Sequence, residues 1–154
     1  MTIIKPDAFI LDMDGMAALH MNPDGSQRRG HFEYAKCSED LPNERVLRLA
    51  EHLSTFLQPI VVSGREDTCI NGAEVRRDTV NWLAKYSSLL DYPLFMRKAD
   101  DYRKDDVIKE EIYDLFIDGR YNVLYALDDR PRVLRMWQVK GITTLGVGTP
   151  WIEF

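Results

Sequence analysis

"FILDMDGMAAL", residues 9–19, sets three apolar residues directly against two aspartates in alternate positions, Asp12 and Asp14, with Gly15 behind them. The apolar run, with Ala8 before it, has the length and character of a buried strand, and glycine permits a sharp turn at its end. One carboxylate at a strand end is ordinary. Two, separated by a single residue, concentrate negative charge where a cation could sit.

Outward from this stretch, short apolar runs alternate with helical patterns. Val46, Leu49, Ala50, Leu53, Phe56 and Leu57 recur at helical spacing, and Pro42 suits the first turn of that helix. Ile60 to Val62 is a β-branched strand closing on Ser63 and Gly64. Val75, Thr79, Trp82, Leu83 and Tyr86 mark a second helix, followed by a short strand over Leu94 to Met96. In "RKDDVIKEEIYDLF" the residues Ile108, Ile112, Leu115 and Phe116 share one helical face. "NVLYALDDR" is a strand ending in carboxylates, "VLRMWQVKG" a helix stopped at Gly141, and Ile142 to Leu145 a last strand. This rhythm predicts an α/β domain: a Rossmann-like, three-layer arrangement with a central parallel sheet. Residues 1–154 fit one domain. The irregular tract 16–41, where "NPDG" offers a tight turn, reads as a flap or hairpin, and a small helical insertion falls at about 66–102.

Hydrophobic residues at 45% and charged residues at 29% are values of a packed globular chain. A net charge of -5 argues against a broad basic surface for nucleic acid, while leaving room for arginines that bind single phosphates. Cys37 and Cys69 have neither the number nor the spacing of a disulfide framework or a zinc site. Proline and aspartate in "MTIIKPDAF" interrupt what a signal peptide would need, and no apolar segment reaches the length of a membrane span. The expected setting is the cytoplasm, with no membrane partner.

Three polar clusters follow successive strands: Asp12 and Asp14, then Ser63, Gly64 and Arg65, then Asp128, Asp129 and Arg130. Parallel strands bring all three to one edge of the sheet. Asp12, Asp14, Asp128 and Asp129 are candidate ligands of a divalent cation, and all-oxygen ligation suits Mg²⁺. A cation among carboxylates, beside a hydroxyl and an arginine, is built for a phosphate. Asp12 is then the nucleophile. Asp14 protonates the leaving alcohol and later activates water, which calls for surroundings that raise its pKa. Any one cluster alone is an ordinary turn or cap; the combination carries the specificity. His20, His31 and His52 have no mutual spacing of a ligand set and read as surface or core residues.

These residues resemble the haloacid dehalogenase superfamily of aspartate-nucleophile phosphatases and, more narrowly, the 3'-phosphatase domain of phage polynucleotide kinase-phosphatases. The family's DxDGT appears as "DMDGM", its "VSGRE" as Val62 to Glu66, its "RKDDVxKEEI" as Arg103 to Ile112, and its "DDR" with a following "MW" as Asp128 to Arg130 and Met136 to Trp137. "RGHFEYAKC" matches a further stretch. The resemblance implies a Mg²⁺-dependent enzyme that removes a 3'-terminal phosphate from DNA, RNA or a nucleoside 3'-phosphate. It implies Asp12 and Asp14 as catalytic, Ser63, Gly64, Arg65 and Lys109 at the phosphate, Arg29 reaching in from the flap, Asp105 in the same essential set, and Asp128 and Asp129 on the metal. Asp105 and Lys109, four apart, share a helical face.

Met16 stands where the family usually has threonine. No GxxxxGK[ST] is present, so the 5'-kinase half is missing from this sequence, which leaves open a separate 5'-kinase or ligase as partner, or none. The short flap and insertion leave the site open to a polynucleotide end, on which Tyr34, Tyr86, Tyr92 or Tyr102 could stack. The competing readings are a phosphatase of the same superfamily acting on a free nucleotide or small metabolite, a receiver-like phosphoacceptor domain, and an inactive relative.

Overall fold

A computed structural model describes residues 4–148. The chain runs β1 (Asp7–Leu11), β2 (Ala18–Leu19), β3 (Leu41–Pro42), α1 (Glu44–Ser54), β4 (Gln58–Asp67), β5 (Cys69–Ile70), β6 (Ala73–Glu74), α2 (Val75–Tyr86), β7 (Leu94–Lys98), α3 (Asp105–Ile112), β8 (Asn122–Asp128), α4 (Pro131–Val139) and β9 (Thr143–Gly146). Five strands form one sheet in the order β7-β4-β1-β8-β9, with every neighbouring pair parallel. Leu11 is in register with Val61 on one side and Leu127 on the other.

Alternation along the strands builds three layers. Phe9 and Leu11 of β1 join Val61, with Leu47 and Ala50 of α1 and Trp82 and Leu83 of α2, in one apolar layer. Ala8 and Ile10 join Ile60 and Val62, with Ile108 and Ile112 of α3 and Val133 and Trp137 of α4, in the other. Strands buried on both faces lack the alternation of polar residues that marks an open sheet, which is why "AFIL" and "PIVV" are continuously apolar. From β1 the chain builds outward to β4 and β7, then returns to β8 and β9 on the other side. The carboxyl ends of β4, β1 and β8 therefore meet at the point where the winding reverses, the place where α/β sheets hold ligands.

Two local expectations are corrected. Pro42 is not in the first turn of α1; it pairs with Ala18 across the small antiparallel ribbon β2-β3, and helix α1 begins after Asn43. The face proposed through Ile108, Ile112, Leu115 and Phe116 holds only in its first half. After Ile112 the helix widens into a π-type turn over Tyr113–Ile117, and the extra residue per turn rotates the apolar face. Tyr113 and Ile117 are buried in place of Leu115, which is exposed, and Phe116, which stacks on Phe95 at the surface.

The flap is a hairpin. Asn22 to Gly25 close a tight turn through the Gly25 amide on the Asn22 carbonyl, and Met21 bridges Gln27. A two-turn 3₁₀ segment, Tyr34–Glu39, returns the chain to β3. The 66–102 tract comprises the β5-β6 hairpin, the crossover helix α2 and strand β7. Among the described residues, no helix is long and apolar enough to cross a membrane.

Candidate active site

Strand β1 delivers Asp12 to the sheet edge, where its amide still donates to the Leu127 carbonyl of β8. The turn that follows is closed by backbone bonds from Gly15 to the Ala18 carbonyl and from Ala18 to the Met13 carbonyl. Gly15 takes a φ of +83°, and a β-carbon there would stand 2.0 Å from an Asp129 oxygen, so this position needs glycine on both counts. Met16 points the other way, into the apolar layer, with 1% of its surface exposed.

Lys109 organises the acidic side of the site. Its ammonium lies 2.9 Å from Asp12, 2.8 Å from Asp128 and 3.3 Å from Asp105, and the side chain is buried. Burial disfavours its charge, but the three carboxylates outweigh burial and hold its pKa well above the ordinary lysine range. One ammonium cannot balance all the acids. Burial, opposed by Lys109 and reinforced by Asp128, Asp129 and Asp105, leaves the Asp12 carboxyl raised well above its ordinary value. Burial and the Asp128 charge push Asp129 up to about 7. Oxygens of Asp12, Asp128 and Asp129 lie within 4.8 Å of one another, a group that could hold a metal ion.

Asp14 belongs to a different cluster. Its Oδ1 accepts from Arg65 Nε at 2.9 Å, Arg65 Nη2 at 2.7 Å and Arg29 Nη2 at 2.8 Å. Both guanidiniums also donate to Asp40, with Arg29 bidentate at 2.7 Å for each bond. Arg65 further donates to the Thr79 hydroxyl. The expected elevation of the Asp14 pKa is corrected by this arrangement: burial does raise it, but Arg65 and Arg29 together overcome burial and leave it lowered. Because its carboxylate is turned to the arginines, Asp14 stands outside the triad of mutually close carboxylates.

Of the other residues singled out in the sequence, Ser63 is buried and accepts the Arg65 amide at 3.2 Å. Gly64 lines the polar pocket, and a β-carbon on it would meet an Asp105 oxygen at 2.3 Å. Arg29 and Arg65 are packed beneath Asp14. Asp105 is paired with Lys109 and with Arg97. Burial raises its pKa, yet Lys109, Arg130 and Arg97 bring it below the ordinary value. Tyr34 is buried with its hydroxyl on the Gly64 carbonyl, whereas Tyr102 is exposed. Tyr86 packs on Trp82 and Tyr92 against the same apolar layer.

Three contributors escaped the sequence reading. Asp40, fully buried, binds both arginines and gives its carbonyl to the Trp82 indole. Arg97 lines the pocket and ties β4 to the loop between β7 and α3 through the carbonyls of Gly64, Asp101 and Arg103. The strand-end rule that found Asp12 and Asp128 would have found Arg97 on β7. His20 and His31, read as unrelated, meet at the pocket wall with ring centroids 4.4 Å apart.

A parallel sheet that gathers an aspartate pair from its first strand, a buried lysine from α3 and two further aspartates from the end of β8 defines the haloacid dehalogenase class of α/β phosphatase domains. The chain belongs to the family described as the polynucleotide kinase PNKP phosphatase domain, which matches residues 6–150. It is 34% identical over 153 residues to a protein of Autographa californica nuclear polyhedrosis virus named "Putative bifunctional polynucleotide kinase/RNA ligase", covering 97% of this chain and 20% of that one. Two solved structures are similar to it. A chain of the Pnkp1/Rnl/Hen1 RNA repair complex has a TM-score of 0.81 at 32% identity, over 96% of this chain and 44% of its own. A second structure of the Pnkp1/Rnl/Hen1 complex has a TM-score of 0.78 at 34% identity, over 93% and 46%. The chain thus spans a fifth of the viral relative and under half of each structural one.

Proposed function

We propose that this domain removes the terminal phosphate from 3'-phosphorylated polynucleotide ends through a phosphoaspartyl intermediate. The observation that carries the reading is the division of the two neighbouring aspartates. Asp12 faces Lys109 and the acidic triad, where a phosphorus atom can be attacked. Asp14 is held apart on two arginines, where it can serve proton transfer. Asp12 attacks phosphorus, the bond to O3' breaks, and the departing oxygen takes a proton from Asp14. Water then gives a proton to Asp14 and attacks the aspartyl phosphate, releasing phosphate and regenerating Asp12.

With its pKa lowered, Asp14 is ionised in the free domain, ready for the second step. Arrival of the phosphate dianion beside it favours the protonated form needed for the first. Lys109 and the backbone around Gly64 stabilise the transferring group, while Arg97 and Arg130 line the way in. Asp12, Asp128 and Asp129 offer only oxygen donors at close spacing, which fits Mg²⁺. When bound, the ion neutralises charge on the transferring phosphate.

Beside the pocket opens a groove of about 470 Å³ in which Arg97, Arg103, Lys104, Arg130 and Arg132 outnumber the acids Glu66, Asp101 and Asp105, with Phe32 and Tyr102 exposed among them. Cations interleaved with exposed aromatic rings suit one strand of nucleic acid, and the relatives' RNA ligase and RNA repair settings favour RNA ends. A ligase or kinase acting on the same break is the corresponding partner.

Matched oligonucleotides bearing a 3'- or a 5'-phosphate test the proposal. Mg²⁺-dependent release confined to the 3' end is expected. Hydrolysis of free nucleotides or small phosphate esters alone would move the assignment to a small-molecule phosphatase. Within this reading, Gly15→Ala displaces Asp129, and the Mg²⁺ concentration for half-maximal rate is expected to rise by about tenfold or more. An unchanged Mg²⁺ titration would remove Asp129 from the metal set.

A further inference from the structure

Two grooves open from the carboxylate pocket, and their chemistry differs. The pocket itself offers about 40 Å³, room for a phosphoryl group and little more, so the nucleoside that carries the phosphate stays outside it. The net cationic groove shares Phe32, Tyr34, Arg97, Asp105 and Arg130 with the pocket. A second groove, of about 810 Å³, shares His20, His31 and Asp129 with it. The two grooves have no lining residue in common, so they leave the pocket in different directions.

The second groove is apolar. Leu19 and Leu41 are paired in register across the β2-β3 ribbon, Pro42 follows on the same ribbon, and Met21 and Pro23 of the flap hairpin complete the wall. Met21 is 41% exposed. Asn22 also lines the groove, but its side chain is engaged within the hairpin, donating to the Ser26 hydroxyl and accepting from Arg28, each at 2.9 Å. Among the described residues, no lysine or arginine lines this groove.

A nucleotide at a 3' end has two branches leading away from the carbon that bears the scissile phosphate. One runs through C4' to the next phosphate of the strand, an anion. The other runs through C2' and C1' to the base, a flat ring with large apolar faces. The cationic groove matches the first branch and the apolar groove the second.

We infer that the apolar groove is the subsite of the terminal nucleobase, so that the last residue of the strand is gripped across the pocket, its backbone in the cationic groove and its base against Met21, Leu19 and Pro42. This rests on the 3'-end reading proposed above and adds to it a demand that the last residue carry a base. The contact lies away from the reacting atoms and is made equally before and during the reaction. It therefore acts on KM and leaves kcat unchanged.

The test compares two 3'-phosphorylated oligonucleotides of one sequence, one with an intact last residue and one whose last residue is a tetrahydrofuran abasic analogue. The unsubstituted protein is expected to favour the base-bearing end by about tenfold in kcat/KM, with the difference in KM. Met21→Ser, at a partly exposed position, is expected to bring that ratio toward one by raising KM for the base-bearing end alone, while hydrolysis of acetyl phosphate, which has no ring, is unchanged. Met21→Leu, which restores an apolar wall, should keep the preference. A ratio near one in the unsubstituted protein, a preference that survives Met21→Ser unaltered, or one that Phe32→Ala abolishes instead, overturns the inference while leaving the 3'-phosphatase reading intact. If neither oligonucleotide releases phosphate while acetyl phosphate is hydrolysed, the 3'-end reading itself fails and takes the inference with it.

Discussion

Asp12→Asn is expected to lower phosphate release by about 10⁵-fold or more, with the folded domain retained. A neutral amide cannot attack phosphorus, and none of the neighbouring carboxylates can take over the step without leaving its own partners: Asp128 is held by Lys109 and the Arg130 amide, and Asp14 by two arginines. Stability should not suffer. The substitution removes one negative charge from a buried group of four acids around a single lysine, and the acid removed is one whose ionised form burial already disfavours. Loss of turnover with an unchanged or raised unfolding temperature, and no acid-stable phosphate attached to the chain on quenching, would separate the nucleophile from a structural residue. Wild-type-like hydrolysis by the variant would remove Asp12 from the role.

The layers of the fold were legible because each strand core is a short apolar run and each helix keeps a single buried stripe. Where a boundary moved, a local competitor explains it. Pro42 was drawn into the β2-β3 ribbon because Ala18 needed a strand partner, a requirement set 24 positions away and invisible to helix-start rules. The π-type turn at Tyr113–Ile117 shifts the apolar period by one residue, so a strict 3.6-residue spacing continued past Ile112 points at the wrong side chains.

The site divides along the same line. Asp12, Asp128 and Asp129 were readable because strand ends place them, whereas Lys109 and Asp105 came from the family resemblance, their i, i+4 spacing adding only a shared helical face. The electrostatics of Asp14 were not, since they depend on Arg29 and Arg65, 15 and 51 positions away, and on Asp40, which draws off part of their charge from a tract without any periodic pattern. The His20–His31 contact arises only when the flap folds back on itself. Charge sign and burial could be guessed from composition near a strand end; which charges touch could not.

Lys109→Met should produce the largest loss of stability of any conservative-length substitution in the site. Methionine fills much of the space of the aliphatic stem but returns nothing to Asp12, Asp105 and Asp128, whose oxygens stand 2.8 to 3.3 Å from the ammonium. Removing one partner from a buried ionic cluster typically costs about 3–5 kcal/mol, equivalent to a fall in Tm of about 10 °C for a domain of this size. The deficit should depend on pH, because Lys109 lowers the pKa of Asp12, Asp105 and Asp129 in the folded state. Without it Asp12 and Asp129 rise further above their unfolded value of about 4, and Asp105 loses the largest of the charges that hold it below that value. The unfolded chain then gives up its protons first as pH increases, so stability falls with rising pH across the window above that value. The Tm difference between the two proteins should therefore be small near pH 4.5 and large at pH 8, and added Mg²⁺ should recover part of it by supplying the missing positive charge. A difference that is the same at both pH values would mean that Lys109 contributes packing alone, and that the acidic cluster is balanced by some other group.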